Sequence, residues 1–398
     1  MMKTAILSLL TFLCLVSGCS QSNSDKNKPV VPPVMVPPLV IEPVTLDYQK
    51  AIDEAITETI PGIILLVETP EKRFIGSAGV SNVETGLDMQ VDDTMPTASA
   101  GKKMVALLAA QLADEGLLNL DDTLNTWLSE DILSRILNSH QMTLRQLLSH
   151  TSGVANYVDV DDGDTYLELL REDPEELKTS IDFVELVFDQ PAFFLPGEGY
   201  EYSNTGFELA ALVMDEVLGE HHSKAMRNRF FDPMGMTSTY YKGIEASLGD
   251  FVSGYLVDED GELVERGELV DAKPFLINAS EASSPIISSV DDMAIFLKAL
   301  ITDDSFANDN VKNIMFGEDN LITIDANGKS GLGIGVVTID GQKIYAHAGL
   351  AYGYMTQSIF IEDTNTSIVR FSNCGDGGIN VCSTTFNGLI ETVLENEL

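Results

Sequence analysis

A serine and a lysine three residues apart, Ser99 and Lys102, open an apolar stretch rich in alanine and leucine that runs to Gly116. A serine hydroxyl is a poor nucleophile until something takes its proton, and a lysine desolvated by apolar neighbours can have a pKa low enough to do so. The pair therefore supplies what acyl transfer needs, a nucleophile with its own amine. For the two to meet they must share one face of a helix. The helix is legible: apolar residues recur from Met104 through Leu107, Leu108 and Leu112, and Gly116 offers a C-terminal stop. Residues i and i+3 share a face, so Ser99 and Lys102 point the same way, with Ser99 in the first turn, where free N–H groups and the helix dipole favour negative charge. Alone, Ser-x-x-Lys is weak evidence, since such a tetrapeptide recurs by chance in long chains and an ordinary helix start is its default reading.

Two other segments carry polar groups to element ends. Pro196 to Gly206 is turn-rich and leads into an amphipathic helix with Leu209, Leu212, Val213 and Val217; Tyr202-Ser-Asn204 sits at the junction. Taken alone, Asn204 is a helix N-cap and Tyr202 a packing aromatic. His347-Ala-Gly349 ends a strand-like run, and taken alone its glycine marks a close backbone approach. The histidines at 140, 150, 221 and 222 form no His-Glu-x-x-His or similar pattern and read as structural or exposed. No Gly-x-Ser-x-Gly elbow is present, which removes the α/β-hydrolase reading.

The elements that must hold these groups form an α+β pattern. A helix is predicted over 46–60, stopped by Pro61-Gly62, followed by a hairpin of strands over 63–67 and 73–78. After the nucleophile helix, helical patterns over 117–128, 143–148, 165–172, 181–188, 204–218 and 221–231 lack strand alternation. Strands return over 333–339 and 343–347, flanking the hairpin turn Asp340-Gly341, then over 356–361 and 367–372, and a helix over 384–394 closes the chain. The expected architecture is an antiparallel β-sheet built from both ends of the sequence, flanked by N- and C-terminal helices, with an all-helical subdomain inserted over roughly 100–275. There is no internal repeat.

In the order Ser-x-x-Lys, Tyr-x-Asn, His-x-Gly, the three segments together resemble the serine β-lactamase and penicillin-binding protein superfamily, in its class C β-lactamase-related branch. Further stretches resemble it too: Gln111 to Asp122, Thr143 to Gly153, Ser288 to Leu297 and Gly331 to Gly335. The resemblance spans roughly 46–394 and implies a β-lactamase/transpeptidase-like fold with the active site between sheet and helical subdomain. It implies Ser99 as nucleophile, Lys102 as proton acceptor, Tyr202 sharing general-base work, and Asn204, His347 and Gly349 as substrate-binding positions. The backbone N–H groups of Ser99 and Leu350 would form the oxyanion hole, aimed at charge that appears only in the tetrahedral stage. Such chemistry needs no metal and no cofactor. The branch includes D-alanyl-D-alanine carboxypeptidases, D-aminopeptidases, class C β-lactamases and carboxylesterases. Class C β-lactamases usually have Lys-Thr-Gly where this chain has His347-Ala-Gly349, which weighs against an efficient lactamase. Carboxypeptidases of the branch often hold the substrate carboxylate with hydroxyls and an arginine, and the matching residues here are Ala348, Leu350 and Val337. A free carboxylate would lose charge-assisted hydrogen bonds there. The expectation is an exported serine hydrolase forming an acyl-enzyme, D-alanyl-D-alanine carboxypeptidase-like, with a carboxylesterase as the alternative. A catalytically silent envelope binder has no need of all four of Ser99, Lys102, Tyr202 and Asn204.

Composition is consistent with a large folded unit: 398 residues, 44% hydrophobic. A formal net charge of −39 opposes nucleic acid and anionic lipid as partners and reads as a solvated surface. Asp159 to Asp164 lacks calcium-loop spacing and reads as an exposed loop. Residues 1–19 read as a targeting segment, with Lys3, the apolar run Ala5 to Val16 and then Ser-Gly-Cys19, and its ending resembles a bacterial lipoprotein signal that lipidates Cys19. Ser20 is associated with the outer membrane in such signals. Residues 20–44, with prolines at 29, 32, 33, 37, 38 and 43, read as an extended tether. The hydrolase domain is then 45–398, expected to be monomeric, acting on a small peptide or ester and held to the envelope through the lipid. Cys374 and Cys382 remain, and both a disulfide and two free thiols stay open.

Overall fold

The run Gly62–Glu68 forms β1, and its side chains alternate between two cores: Ile63, Leu65 and Val67 enter one, Ile64 and Leu66 the other. A strand buried on both faces has no polar side, which is why its sequence is continuously apolar. In this computed structural model residues 46–257, 269–326, 328–375 and 381–398 are described. The targeting segment, Cys19, the tether and Asp376 to Gly378 lie outside the described residues.

One antiparallel sheet dominates. β1 pairs with β2 (Arg73–Asn82) on one side and with β14 (Thr366–Ser372) on the other, so the two ends of the chain meet in mid-sheet. Beyond β2 lies β3 (Leu87–Asp88); beyond β14 follow β13 (Tyr354–Ile361), β12 (Gln342–Ala351), β11 (Gly335–Ile339), β10 (Gly328–Ser330) and β9 (Ile322–Thr323). β11 and β12 turn at Asp340 and Gly341, both at positive φ (50° and 88°), the geometry that matches strand twist in a two-residue hairpin. A small sheet joins β4 (Met95–Pro96), β8 (Ile286–Ser288) and β5 (Tyr240–Tyr241). β6 (Tyr255–Val257) and β7 (Leu269–Asp271) pair with each other.

The terminal helices cover one face. Tyr48 and Ile52 of α1 (Tyr48–Ala55) share a core with Ile390, Val393 and Leu394 of the C-terminal helix, which becomes α12 below, and with Ile359 and Ile368 of the sheet. The other face packs on α2 (Lys102–Asp114) and the helical region: α3 (Glu130–Leu133), α4 (Leu144–Leu148), α5 (Asp164–Glu172), α6 (Ser180–Glu185), α7 (Asn204–Leu218) and α8 (His222–Met226). The short α9 (Lys273–Leu276), then α10 (Val290–Thr302) and α11 (Asp309–Phe316), lead back to the sheet, and α12 spans Val381–Glu397. In α2 every residue from Lys102 to Leu112 except Gln111 is buried, as expected of a helix apolar on all sides.

Three expectations change. The first helix stops at Ala55 because Thr57 and Ile60 pair in a turn in which Thr57 Oγ1 accepts from Ile60 N. The stretch 117–128 is turn and a 3₁₀ segment rather than helix. There Asn119, Asp122, Thr123 and Asn125 hydrogen-bond locally, offering the backbone an alternative to the helix. Over 100–275 the region is not all-helical: β5, β6 and β7 lie within it.

Cys374, just past β14, is bonded to Cys382 in the first turn of α12, across 8 residues of sequence with Cα atoms 6.1 Å apart. Closing so short a loop restricts the unfolded chain by ~2–3 kcal/mol. Replacing both cysteines with alanine is expected to lower the unfolding free energy by about that amount in urea melts, and reductant should destabilise the parent but not the variant. Coincident melts for parent and variant would contradict the assignment.

Candidate active site

Ser99, the expected nucleophile, sits on a strained turn. Ala98 has a left-handed backbone (φ 46°), and Ala98–Gly101 is a 3₁₀ segment leading into α2. At three residues per turn, i and i+3 stack directly, so this tighter start brings Ser99 over Lys102 more closely than the α-helix expected. Lys102 Nζ lies 3.0 Å from Ser99 Oγ. The turn is pinned on both sides. Thr97 N donates to Ile286 O (2.8 Å) and Thr97 O accepts from Thr356 Oγ1 (2.7 Å), while Lys103 Nζ, pointing to the sheet side, donates to Ala100 O (2.7 Å) and Ser358 Oγ (2.6 Å).

The Lys102 amine is fully buried and meets three oxygens: Ser99 Oγ, Asn204 Oδ1 at 2.7 Å and the Ser283 carbonyl at 2.7 Å. Burial pulls its pKa down to about 7, against the pull of Glu208 and Glu281. A neutral amine has two N–H bonds and one lone pair. Asn204 Oδ1 and Ser283 O can only accept, so they take the two N–H bonds; the hydroxyl alone can donate, so the lone pair faces Ser99 Oγ–H. The geometry therefore selects proton removal from Ser99.

Tyr202-Ser-Asn204 is held as a unit at the start of α7. Ser203 N donates to His150 Nδ1 (3.2 Å), Ser203 Oγ to Ala155 O (3.1 Å) and Asn204 N to Asn156 Oδ1 (2.9 Å). Asn204 is thus the first helical residue, its N–H capped by Asn156, with Ser203 at the N-cap position. Because Asn204 Oδ1 faces the lysine, its Nδ2 is left to donate elsewhere. Tyr202 is buried, its ring 5.1 Å below Lys102 Nζ and stacked on His150 at 4.1 Å. Among the described residues its Oη makes no well-formed hydrogen bond; burial pushes the phenol well up, and interaction with the Ser99 hydroxyl pulls the other way. Tyr202 is therefore a protonated phenol at neutral pH, and of the expected base pair Lys102 is the member that can be free to accept.

His347 and Gly349 lie on β12. His347 is 1% exposed, its Nδ1 2.5 Å from Ala348 O and its Nε2 without a hydrogen-bond partner among the described residues; burial, then Lys103, hold its pKa well down. It is a neutral ring beneath the site, not an exposed cation. Gly349 lies against the nucleophile turn: a Cβ there would come within 2.3 Å of Thr97 O and 2.9 Å of Ala98 Cβ. That contact brings Leu350 alongside the turn carrying Ser99. Val337 points into the core beneath the terminal helices, so β11 offers no clamp from that position.

A model of the family described as Beta-lactamase matches residues 49–381. The chain belongs to the beta-lactamase family. It is 24% identical over 325 residues to penicillin-binding protein 4* of Bacillus subtilis, covering 78% of this chain and 68% of that one. A lovastatin esterase of Penicillium rubens is 28% identical over 211 residues, 49% of this chain and 51% of that one. Among solved structures, a D-stereospecific amidohydrolase from Streptomyces sp. superposes with a TM-score of 0.73 at 24% identity, over 87% of this chain and 97% of that one.

In this beta-lactamase family chain, sequence reasoning overlooked four contributors. His150 was read only as structural or exposed and Lys103 drew no reading, yet both brace the site. Ser283 acts through its carbonyl, which no residue type announces. Glu208 carried a usable signal, since it lies four residues after Asn204, between the apolar Phe207 and Leu209, and so shares Asn204's face. At the far end of α7, Asp215, His221 and His222 gather as metal-type ligands, but His222 already bonds Asp215 and Tyr241, and His221 Nδ1 already accepts from Ser223 N.

The amine must be neutral to accept a proton, so activity is lost as pH falls and Lys102 protonates. Hydrolysis of p-nitrophenyl acetate should rise about tenfold per pH unit below a midpoint near 7 and level off above it. A flat profile from about pH 5 to 9 would contradict Lys102 as the base.

Proposed function

We propose that this chain is an exported, lipid-anchored serine hydrolase working through an acyl-enzyme, D-alanyl-D-alanine carboxypeptidase-like, on peptidoglycan-type peptides. The observation that carries the reading is the buried Lys102 amine whose two obligate acceptors turn its lone pair to Ser99. In this mechanism Ser99 Oγ attacks the substrate carbonyl as Lys102 takes its proton. The N–H groups of Ser99 and Leu350 receive the oxyanion, and Asn204 Nδ2 holds the acyl amide oxygen. The proton then passes from Lys102 to the leaving group with Tyr202 Oη as relay. A water repeats the sequence in reverse on the ester, Tyr202 and Lys102 sharing its activation. The relatives agree in chemistry class: an amidohydrolase that is D-stereospecific by its description, a penicillin-binding protein and an esterase.

A carboxylesterase is the second reading, favoured by Ala348, Leu350 and Val337 where a carboxylate clamp would need polar side chains. Intact-protein mass spectrometry of residues 45–398 with benzylpenicillin separates the two. A lasting adduct present with Ser99 and absent in Ser99→Ala is expected for a D-peptidase; no adduct and intact drug, with turnover of short-chain esters, turns the assignment to esterase. Ser99→Ala is expected to lower turnover at least ~1000-fold. Full turnover by that variant would overturn the mechanism.

Lipidation at Cys19 and the proline-rich tether would hold the domain off the outer membrane. No described helix is long and apolar enough to cross a membrane. Cys19→Ala is expected to move the expressed protein from the membrane to the soluble fraction of a Gram-negative cell. Unchanged fractionation would count against the anchor.

A further inference from the structure

Beneath the site, α7 and the loop before β8 are joined through one carboxylate. Glu208 is 0% exposed; its Oε2 accepts from Ala282 N (2.8 Å) and Ser180 Oγ (2.7 Å), and its Oε1 accepts from Ser283 N (2.8 Å). Ser283 in turn presents its carbonyl to Lys102 Nζ at 2.7 Å and its hydroxyl to Tyr157 Oη at 2.8 Å. The orientation of the peptide that accepts from the catalytic amine is thus held at its own N–H by Glu208. Burial, then Glu281, push the Glu208 pKa up, and the two backbone donors, one on each oxygen, with Ser180 favour the ionised carboxylate against them.

We propose that Glu208 is a positioning residue for acylation: its carboxylate clamps Ala282 and Ser283 so that the Ser283 carbonyl takes one Lys102 proton and leaves the lone pair on Ser99. The inference rests on the acyl-enzyme reading above. The clamp acts geometrically, by fixing a carbonyl, and electrostatically, because Glu208 is the larger of the two carboxylate influences, with Glu281, that hold the Lys102 pKa up against burial. Other groups act on the amine as well: Glu281, on the clamped loop, acts in the same direction, while His150 and His347 are neutral rings held down by burial first, with Lys102 a lesser influence on each. Glu281 is separately held by Tyr166 Oη at 2.6 Å and faces Lys242 at 3.9 Å, so it makes no contact with the catalytic amine. Nothing in the reaction requires Glu208 to touch substrate.

Two substitutions separate the two effects. Glu208→Asp keeps the charge but its shorter arm cannot reach both N–H groups. Glu208→Gln keeps the length but loses the charge and one acceptor. The rate of Ser99 labelling by a fluorophosphonate probe, followed by intact mass from pH 5 to 9, reads both. Glu208→Asp is expected to slow labelling about tenfold with the acid-limb midpoint unmoved, and Glu208→Gln to slow it and move the midpoint to lower pH. Circular dichroism reports whether each variant folds. Ser180→Ala removes one of the carboxylate's three donors and none of the core packing, and it carries the test if the Glu208 variants do not fold; a two- to fivefold loss, roughly, is expected. Folded variants with parental rates and midpoint would overturn the inference, as would an unaltered Ser180→Ala in their absence. Parent protein that is never labelled, in common with Ser99→Ala, would instead remove the acyl-enzyme reading itself and the inference with it.

Discussion

A lysine amine kept out of water, yet offered hydrogen-bond partners on every side, is the constraint around which this molecule is arranged. Burying an ammonium without partners is prohibitive, and burying it against a carboxylate would fix its charge. The site does neither. Lys102 meets two neutral carbonyl-type oxygens and one hydroxyl, with the carboxylates of Glu208 and Glu281 near enough to act on its charge but making no hydrogen bond to it. Both protonation states are then tolerable, which a proton shuttle requires.

That arrangement needs three separate pieces of chain held at hydrogen-bond tolerance: the turn before α2, the start of α7 and the loop before β8. The fold supplies them from both cores. α2 is enclosed between sheet and helical region; Gly349 lets β12 press against Thr97; Asn156 and His150 fix the entry to α7. The strain at Ala98 is sustained because Thr97 is tied to Ile286 of β8 and Thr356 of β13, and Ala100 is tied through Lys103 to Ser358 of β13. Sheet closure by the chain's two ends, β1 beside β14, gives this frame a rigid back.

Much of the frame was legible in sequence because it rests on periodicity. The bounds of α7 and the late meander follow from apolar spacing and from Asp340-Gly341, and Ser99 and Lys102 announce themselves by type and interval. Other features depend on what patterns do not encode. The 3₁₀ turn at Ala98–Gly101 is imposed by tertiary ties. The stretch from Leu117 to Leu128 carries helical apolar spacing, yet Asn119 accepts from the Asp121 N–H and its Asn, Asp and Thr side chains bond one another locally. His150 looked structural because a histidine's role depends on what its ring stacks against, here Tyr202. The Ser283 carbonyl is invisible to any reading by residue type. For His347, position on the strand was legible, but its neutrality comes from burial first and then from the charge of Lys103, far away in sequence.

The central claim is that Lys102 is a neutral base near neutral pH, and the most direct measurement is its own titration. Heteronuclear NMR of the lysine side chains, with Lys103→Met to tell the two buried amines apart, reads it without turnover. The account predicts that the Lys102 resonance titrates near pH 7. A Lys102 that stays protonated to about pH 10, as an ordinary lysine does, would contradict it.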